Sequence, residues 1–137
     1  MLVWCRSSNP GAADLQDLTL ADGRPFYEAV AERAREWNVY GNVGLVVGAT
    51  WPEELERVRS ICPEQTILIP GIGSQGGDLA ASLAAALDSE GGGVIVSASR
   101  QVLYASSGDD FAQAAARVAK GLRDEINRER AALLARR

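Results

Sequence analysis

Residues 70–78 read PGIGSQGGD, and Gly71, Gly73 and Gly76 within them satisfy the spacing G-x-G-x-x-G. Glycines at that spacing let a backbone approach a phosphate closely, and a helix beginning just behind them offers unpaired N–H groups to an anion. Pro70, Gln75 and Gly77 belong to the same stretch. One unit later the run VIVSASR places Ser99 and Arg100 after apolar residues. A guanidinium there suits a bidentate, charge-assisted pair with a phosphate, although an arginine at a strand end is also an ordinary surface residue. Near the start, SSNPGA brings Ser8 and the turn formers Asn9, Pro10 and Gly11 to the end of another apolar run, where a plain turn is the simpler reading. The chemistry common to these segments is recognition of an anion.

Two absences narrow the catalytic options. The chain contains no histidine, which excludes His-based triads and histidine metal sites. Its single lysine, Lys120, lies inside a long C-terminal helical pattern, so a mechanism needing lysine at a strand end is not completed by this chain. No metal site is expected.

Four strand–helix pairs are needed to carry these residues. Residues 2–5 (LVWC) predict a first strand, followed by a long polar connection and a helix over Phe26–Trp37 with Val30, Ala34 and Trp37 on its inner face. Residues 43–49 (VGLVVGA) predict a second strand buried on both faces. Thr50-Trp51-Pro52-Glu53 then fits a capping box, with Thr50 as N-cap, and Leu55, Val58 and Cys62 form the buried stripe before Pro63. The third unit is residues 66–69 (TILI), the glycine loop, and a helix with Leu79, Leu83 and Leu87, which the glycines at 91–93 are expected to end. In the fourth, residues 94–99 form a strand that Arg100 closes, and Phe111, Ala115, Val118, Leu122 and Ile126 mark the inner face of a long helix.

Apolar strands alternating with amphipathic helices predict an α/β fold with a parallel sheet. Four consecutive β/α units suit either a small doubly wound sheet or half of a (β/α)8 barrel, the latter leaving two strand edges to be covered or paired. We read residues 1–127 as one half-barrel domain and residues 128–137 as a charged helical tail. The glycine loop divides the two options. A dinucleotide-binding turn belongs in the first βα unit, with an acidic residue ending the next strand. Here it lies in the third unit and the next strand leads to Arg100, so only an NADP-type variant or a purely structural turn survives on that side. In a barrel, the loops after strands 7 and 8 often hold a phosphate. If these are the last four units, the glycine loop and Arg100 occupy those two places.

Bulk properties agree with a soluble globular chain: 137 residues, 47% hydrophobic and 23% charged. A net charge of −4 provides no broad basic field for nucleic acid or an anionic membrane. Cys5 and Cys62 are expected to be buried reduced thiols. No apolar run reaches membrane-spanning length, and MLVWCRSS has neither a basic leader nor a cleavage site, so a cytoplasmic location is expected.

Taken together, SSNPGA, VVGAT, PGIGSQGGD and SASR, in this order and at this spacing, resemble the C-terminal half of orotidine 5′-phosphate decarboxylase, in its bacterial group with SNPGA and PGxGxQGGD motifs. The likeness runs from about Leu2 to Asn127. It implies a β/α barrel, usually homodimeric, that converts orotidine 5′-monophosphate to UMP without a cofactor. By the same resemblance Arg100 grips the substrate phosphate with backbone N–H groups around Ser99. The loop at Pro70, Gly71, Gly73, Gln75, Gly76 and Gly77 closes over that phosphate, and Gln75 bridges it to Ser8 above the pyrimidine. The family's Asp-x-Lys-x-x-Asp motif, which supplies the proton donor, is missing here. A methionine standing directly at the fifth barrel strand suggests a truncated or split reading frame. The expected partners are therefore a nucleotide of the OMP/UMP type and either a second copy or a complementing N-terminal half-barrel chain. A half-barrel that binds nucleotide phosphate without catalysis, and a small NADP-binding domain, are the alternatives.

Overall fold

The computed structural model describes residues 1–73 and 76–136. Its sheet consists of β1 (Leu2–Arg6), β2 (Gly44–Val47), β3 (Ile67–Pro70) and β4 (Val94–Ser97), all parallel and in sequential order. The connections contain α1 (Ala13–Gln16) and α2 (Phe26–Trp37), α3 (Pro52–Ile61), and α4 (Leu79–Ala86), with α5 (Arg100–Leu103) and α6 (Phe111–Leu134) after β4. A dinucleotide-binding sheet reverses its strand order at a switch point. A sequential sheet has none, so the NADP-type alternative loses its binding crevice and the barrel-type arrangement stands.

Side chains alternate across each strand. Cys5, Leu45, Val47, Ile67 and Ile69 face the helices and are fully buried in one core with Ala31, Leu55 and Val58. The opposite face carries the row Trp4–Val46–Leu68–Ile95, aligned by strand register. At its ends Trp4 is 59% and Ile95 50% exposed, whereas Val46 between them is buried and Leu68 half-buried. Exposed apolar residues concentrated on one sheet face mark a surface that a further layer covers.

Several local expectations are corrected. Thr50 does not cap α3: the N-cap is Trp51, Pro52 occupies the first turn, and the Thr50 hydroxyl is buried without a partner. With the start displaced by one residue, Glu53 stands too early for the reciprocal bond of a capping box. Helix α4 stops at Ala86 rather than at the glycines, because Leu87 is extended and the Asp88 carboxylate accepts from Glu90 N–H (3.0 Å) and Gly92 N–H (2.7 Å). That local turn competes with helix continuation. Trp37 and Phe111, expected on inner faces, are 55% and 62% exposed, one at the last position of α2 and the other at the first of α6. The fourth strand ends at Ser97, and Arg100 opens α5 instead of closing the strand.

Polar groups fasten the other end of the sheet. Arg59 is buried and donates to the carbonyls of Ala86 (2.7 Å), Cys62 (3.0 Å), Pro63 (3.2 Å), Gln65 (2.7 Å) and Gly93 (2.8 Å), joining α3, α4 and the entry to β4. Cys5 and Cys62 are buried free thiols that donate to Tyr27 O and Ala31 O of α2, both at 3.2 Å. Helix α6 continues past residue 127, where Arg130 bonds to Gly91 O and Leu134 lies against Gly91. No helix among the described residues is long and apolar enough to cross a membrane.

Candidate functional site

Because the strands are parallel, the segments after β1, β2, β3 and β4 emerge at one rim of the sheet. The glycine loop after β3 closes on itself. Ile72 and Gly77 form an isolated bridge, and Gly73 N–H donates to Gly77 O (3.1 Å), Gly76 N–H to Gly73 O (3.0 Å) and Gly77 N–H to Gly71 O (3.2 Å). Gly71, Gly73 and Gly76 take φ values of 93°, 68° and 85°, a region side-chain-bearing residues avoid. Gly77 is required for a different reason, since a Cβ there would fall 2.5 Å from the Ala49 Cβ and 2.8 Å from Gly71 O. Three loop amides are thus engaged inside the loop. The start of α4, which the sequence reading assigns to the anion, is capped by Asp78, whose carboxylate accepts from Ala81 N–H at 2.9 Å. A carboxylate at that helix end disfavours a second negative charge.

Two clefts flank this loop, and their charge differs. The one towards α6, about 360 Å³, includes Asp78, Glu125 and Glu129. The other, about 250 Å³, lies between residues 70–72 and 97–101 and includes Ser99 and Arg100. Arg100 is exposed and forms no ion pair among the described residues. No described acceptor takes the N–H groups of Arg100 or Gln101, which belong to the first turn of α5, while Ser99 O accepts from Val102 (3.1 Å) and Leu103 (2.8 Å). An anion entering beside the loop therefore meets positive charge and unused donors on the β4 side, and carboxylates on the α6 side.

The structure brings Pro70, Gly71, Ser99 and Arg100 into one cleft, with Gly73, Gly76 and Gly77 forming its adjacent loop. Gln75 lies outside the described residues. Ser8 is on the same rim but at the β1 end, seated on Gly48: a Cβ at Gly48 would stand 2.6 Å from Ser8 N. Two further residues on this rim do not stand out from sequence patterning. Gln101 reaches from α5 to the glycine loop, its Oε1 2.9 Å from where a Gly73 Cβ would sit. Arg6 is 1% exposed, stacked 5.2 Å from the centre of the Trp51 ring. A charged residue ending an apolar strand run was the available signal for Arg6; nothing in the pattern distinguishes Gln101.

Fold and rim together define four consecutive units of a β/α barrel, with a cleft lined by Ser99 and Arg100 on the last two. Comparison with known proteins specifies the family. Residues 1–118 match the model of the orotidine 5′-phosphate decarboxylase / HUMPS family. The orotidine 5′-phosphate decarboxylase of Roseiflexus castenholzii is 56% identical over 126 residues, which is 91% of this chain and 46% of that protein. Among solved structures, Leishmania donovani OMP decarboxylase superposes with a TM-score of 0.79 at 47% identity, over 94% of this chain and 47% of that one. Leishmania donovani UMP synthase gives 0.80 at 51% identity, over 94% and 27%. This chain belongs to the orotidine 5′-phosphate decarboxylase / HUMPS family. It spans about half the length of the curated relatives it matches.

Proposed function

We propose that this chain provides the phosphate- and pyrimidine-binding half of an orotidine 5′-phosphate decarboxylase acting in the cytoplasm. The observation that carries the reading is Arg100: a cation without an ion pair among the described residues, opening α5 beside a self-closed glycine loop. In this reading the guanidinium and the first-turn N–H groups of α5 hold the phosphodianion, Gln75 closes over it, and Ser8 addresses the pyrimidine. Binding energy from the phosphate, remote from the reacting carbon, drives closure of the loop and assembly of a site that excludes water. In the reaction the bond between pyrimidine C6 and its carboxylate breaks, CO2 leaves, and C6 takes a proton. In this reading the residues for that last step lie outside these 137 residues, which hold no Asp-x-Lys-x-x-Asp and whose single lysine, Lys120, is exposed on α6. We take them to come from the other half of the barrel, and the exposed Trp4 and Ile95 at the ends of the row on the open sheet face support such a partner over a second copy used only for binding.

The test is a titration of UMP against wild type and Arg100→Ala, followed by OMP turnover with and without a chain bearing the Asp-x-Lys-x-x-Asp half. We expect loss of at least roughly tenfold in UMP affinity for the variant, the worth of one charge-assisted pair, and turnover only in the mixture. Unchanged affinity removes Arg100 from the site, and turnover by this chain alone refutes the division of labour. Binding that no complementing chain converts into turnover would favour the non-catalytic alternative.

A further inference from the structure

We propose that Arg6 is a positioning residue for the pyrimidine side of the site, holding the Ser8 loop in register with the loop after β2; the proposal rests on the reading of Ser8 given above. Arg6 is the last residue of β1, and its side chain runs beneath the connection that follows. Its Nη2 donates to Asp17 Oδ2 at 3.0 Å and lies 3.9 Å from Glu54 Oε1. Its Nη1 is 3.5 Å from Gln16 Oε1, the same oxygen that accepts from Ser7 N–H at 2.8 Å. Trp51 covers the guanidinium plane.

One buried group therefore touches both ends of a loop and a second loop beside it. Ser8 stands in an arc that leaves the sheet at Arg6 and returns at Gln16 and Asp17, both of which the guanidinium meets. Trp51 and Glu54 belong to the start of α3, directly after Gly48, on which Ser8 rests. Burying a cation is costly, and here it leaves Nε without a partner, so an apolar side chain would serve mere packing better. What an apolar residue lacks is a rigid planar fork able to take acceptors on several sides at once. Arg100 lies at the other edge of the sheet, after β4, and shares none of these contacts. Arg6 thus acts on the base-recognising end of the site and leaves the phosphate end alone.

The test compares wild type, Arg6→Met and Arg6→Lys for binding of UMP and of ribose 5-phosphate, with amide exchange read along the chain. The ratio of the two affinities isolates the base. We expect Arg6→Met to reduce UMP affinity about tenfold while ribose 5-phosphate affinity stays within about twofold, and Arg6→Lys to fall between. Amides in residues 7–17 should exchange faster in Arg6→Met while β2 and β3 remain protected, which a general loss of fold would not produce. A wild-type preference for UMP in Arg6→Met, or unchanged exchange in residues 7–17, overturns the proposal. A wild type without any preference for UMP removes the base contact at Ser8 itself; faster exchange in residues 7–17 would then still show Arg6 holding the loop, but not for recognition.

Discussion

Gly44 opens β2 and Gly48 follows its last residue, and substituting them separates stability from recognition. A Cβ at Gly48 would lie 2.6 Å from Ser8 N, 2.7 Å from Ser8 Cβ and 2.9 Å from Ser8 Cα. Non-bonded heavy atoms are at ease near ~3.5 Å, so Gly48→Ala obliges Ser8 to retreat by about 1 Å. A Cβ at Gly44 would meet Thr66 O at 2.6 Å and Leu2 Cδ2 at 2.9 Å, a similar overlap at the N-terminal end of the strand. Overpacking of this kind costs about 1–3 kcal/mol, and both alanine variants should lose that much in urea denaturation. Only Gly48→Ala should also alter binding. A hydrogen bond displaced by an ångström forfeits its net worth of about 1–1.5 kcal/mol, equivalent to roughly a tenfold loss in UMP affinity with ribose 5-phosphate unaffected. Calorimetric titration of both ligands against both variants measures it. If Gly48→Ala retains the wild-type ratio of affinities, or if Gly44→Ala loses it equally, the argument that Gly48 seats Ser8 is wrong.

Two further expectations concern stability. Replacing Arg59 with methionine removes a donor from five carbonyls, those of Ala86, Cys62 and Gln65 in buried bonds, and should lower unfolding free energy by about 3 kcal/mol, a large share of a domain's total, measurable as an earlier denaturation midpoint. The thiols give a pH signature. Burial raises Cys5 from 9.0 to about 12, with Cys62 adding repulsion, and burial raises Cys62 from 9.0 to about 11. Unfolded thiols ionise first, so their contribution is complete below pH 9.0 and is lost as pH rises towards 11–12. Stability should fall over that window, by at most ~1.4 kcal/mol per pH unit for each thiol. Denaturation midpoints of Cys5→Ala and Cys62→Ala should show a shallower decline there, and an unchanged slope would contradict the burial argument.

Much of this chain was legible because burial leaves a period in the sequence. Continuous runs such as GLVV and ILI became parallel strands, and the stripe of Leu55, Val58 and Cys62 became the buried side of α3 and its C-cap. That the segments around Ser8, the glycine loop and Arg100 follow strands was readable too, since glycines and turn formers after an apolar run mark a strand end. Where prediction failed, competition was local and geometric. Pro52 moved the α3 cap from Thr50 to Trp51, and the Asp88 turn ended α4 before its glycines.

Other features required the tertiary structure. A G-x-G-x-x-G spelling does not reveal that three of its amides bond within the loop, or that Asp78 takes the helix end behind it. Those outcomes turn on backbone angles and on which donors remain unused once the chain has closed. The charge contrast between the two clefts arises because α6, far along the sequence, carries Glu125 and Glu129 to one side of the loop. Arg6 reads as a polar interruption until folding gathers Gln16, Asp17, Trp51 and Glu54 around it. By itself the sequence determined the β/α repeat and the residue types available to grip a phosphate, because these follow from periodicity and composition. Only the tertiary structure decided which cleft those residues line, because that depends on distances between segments the sequence holds apart.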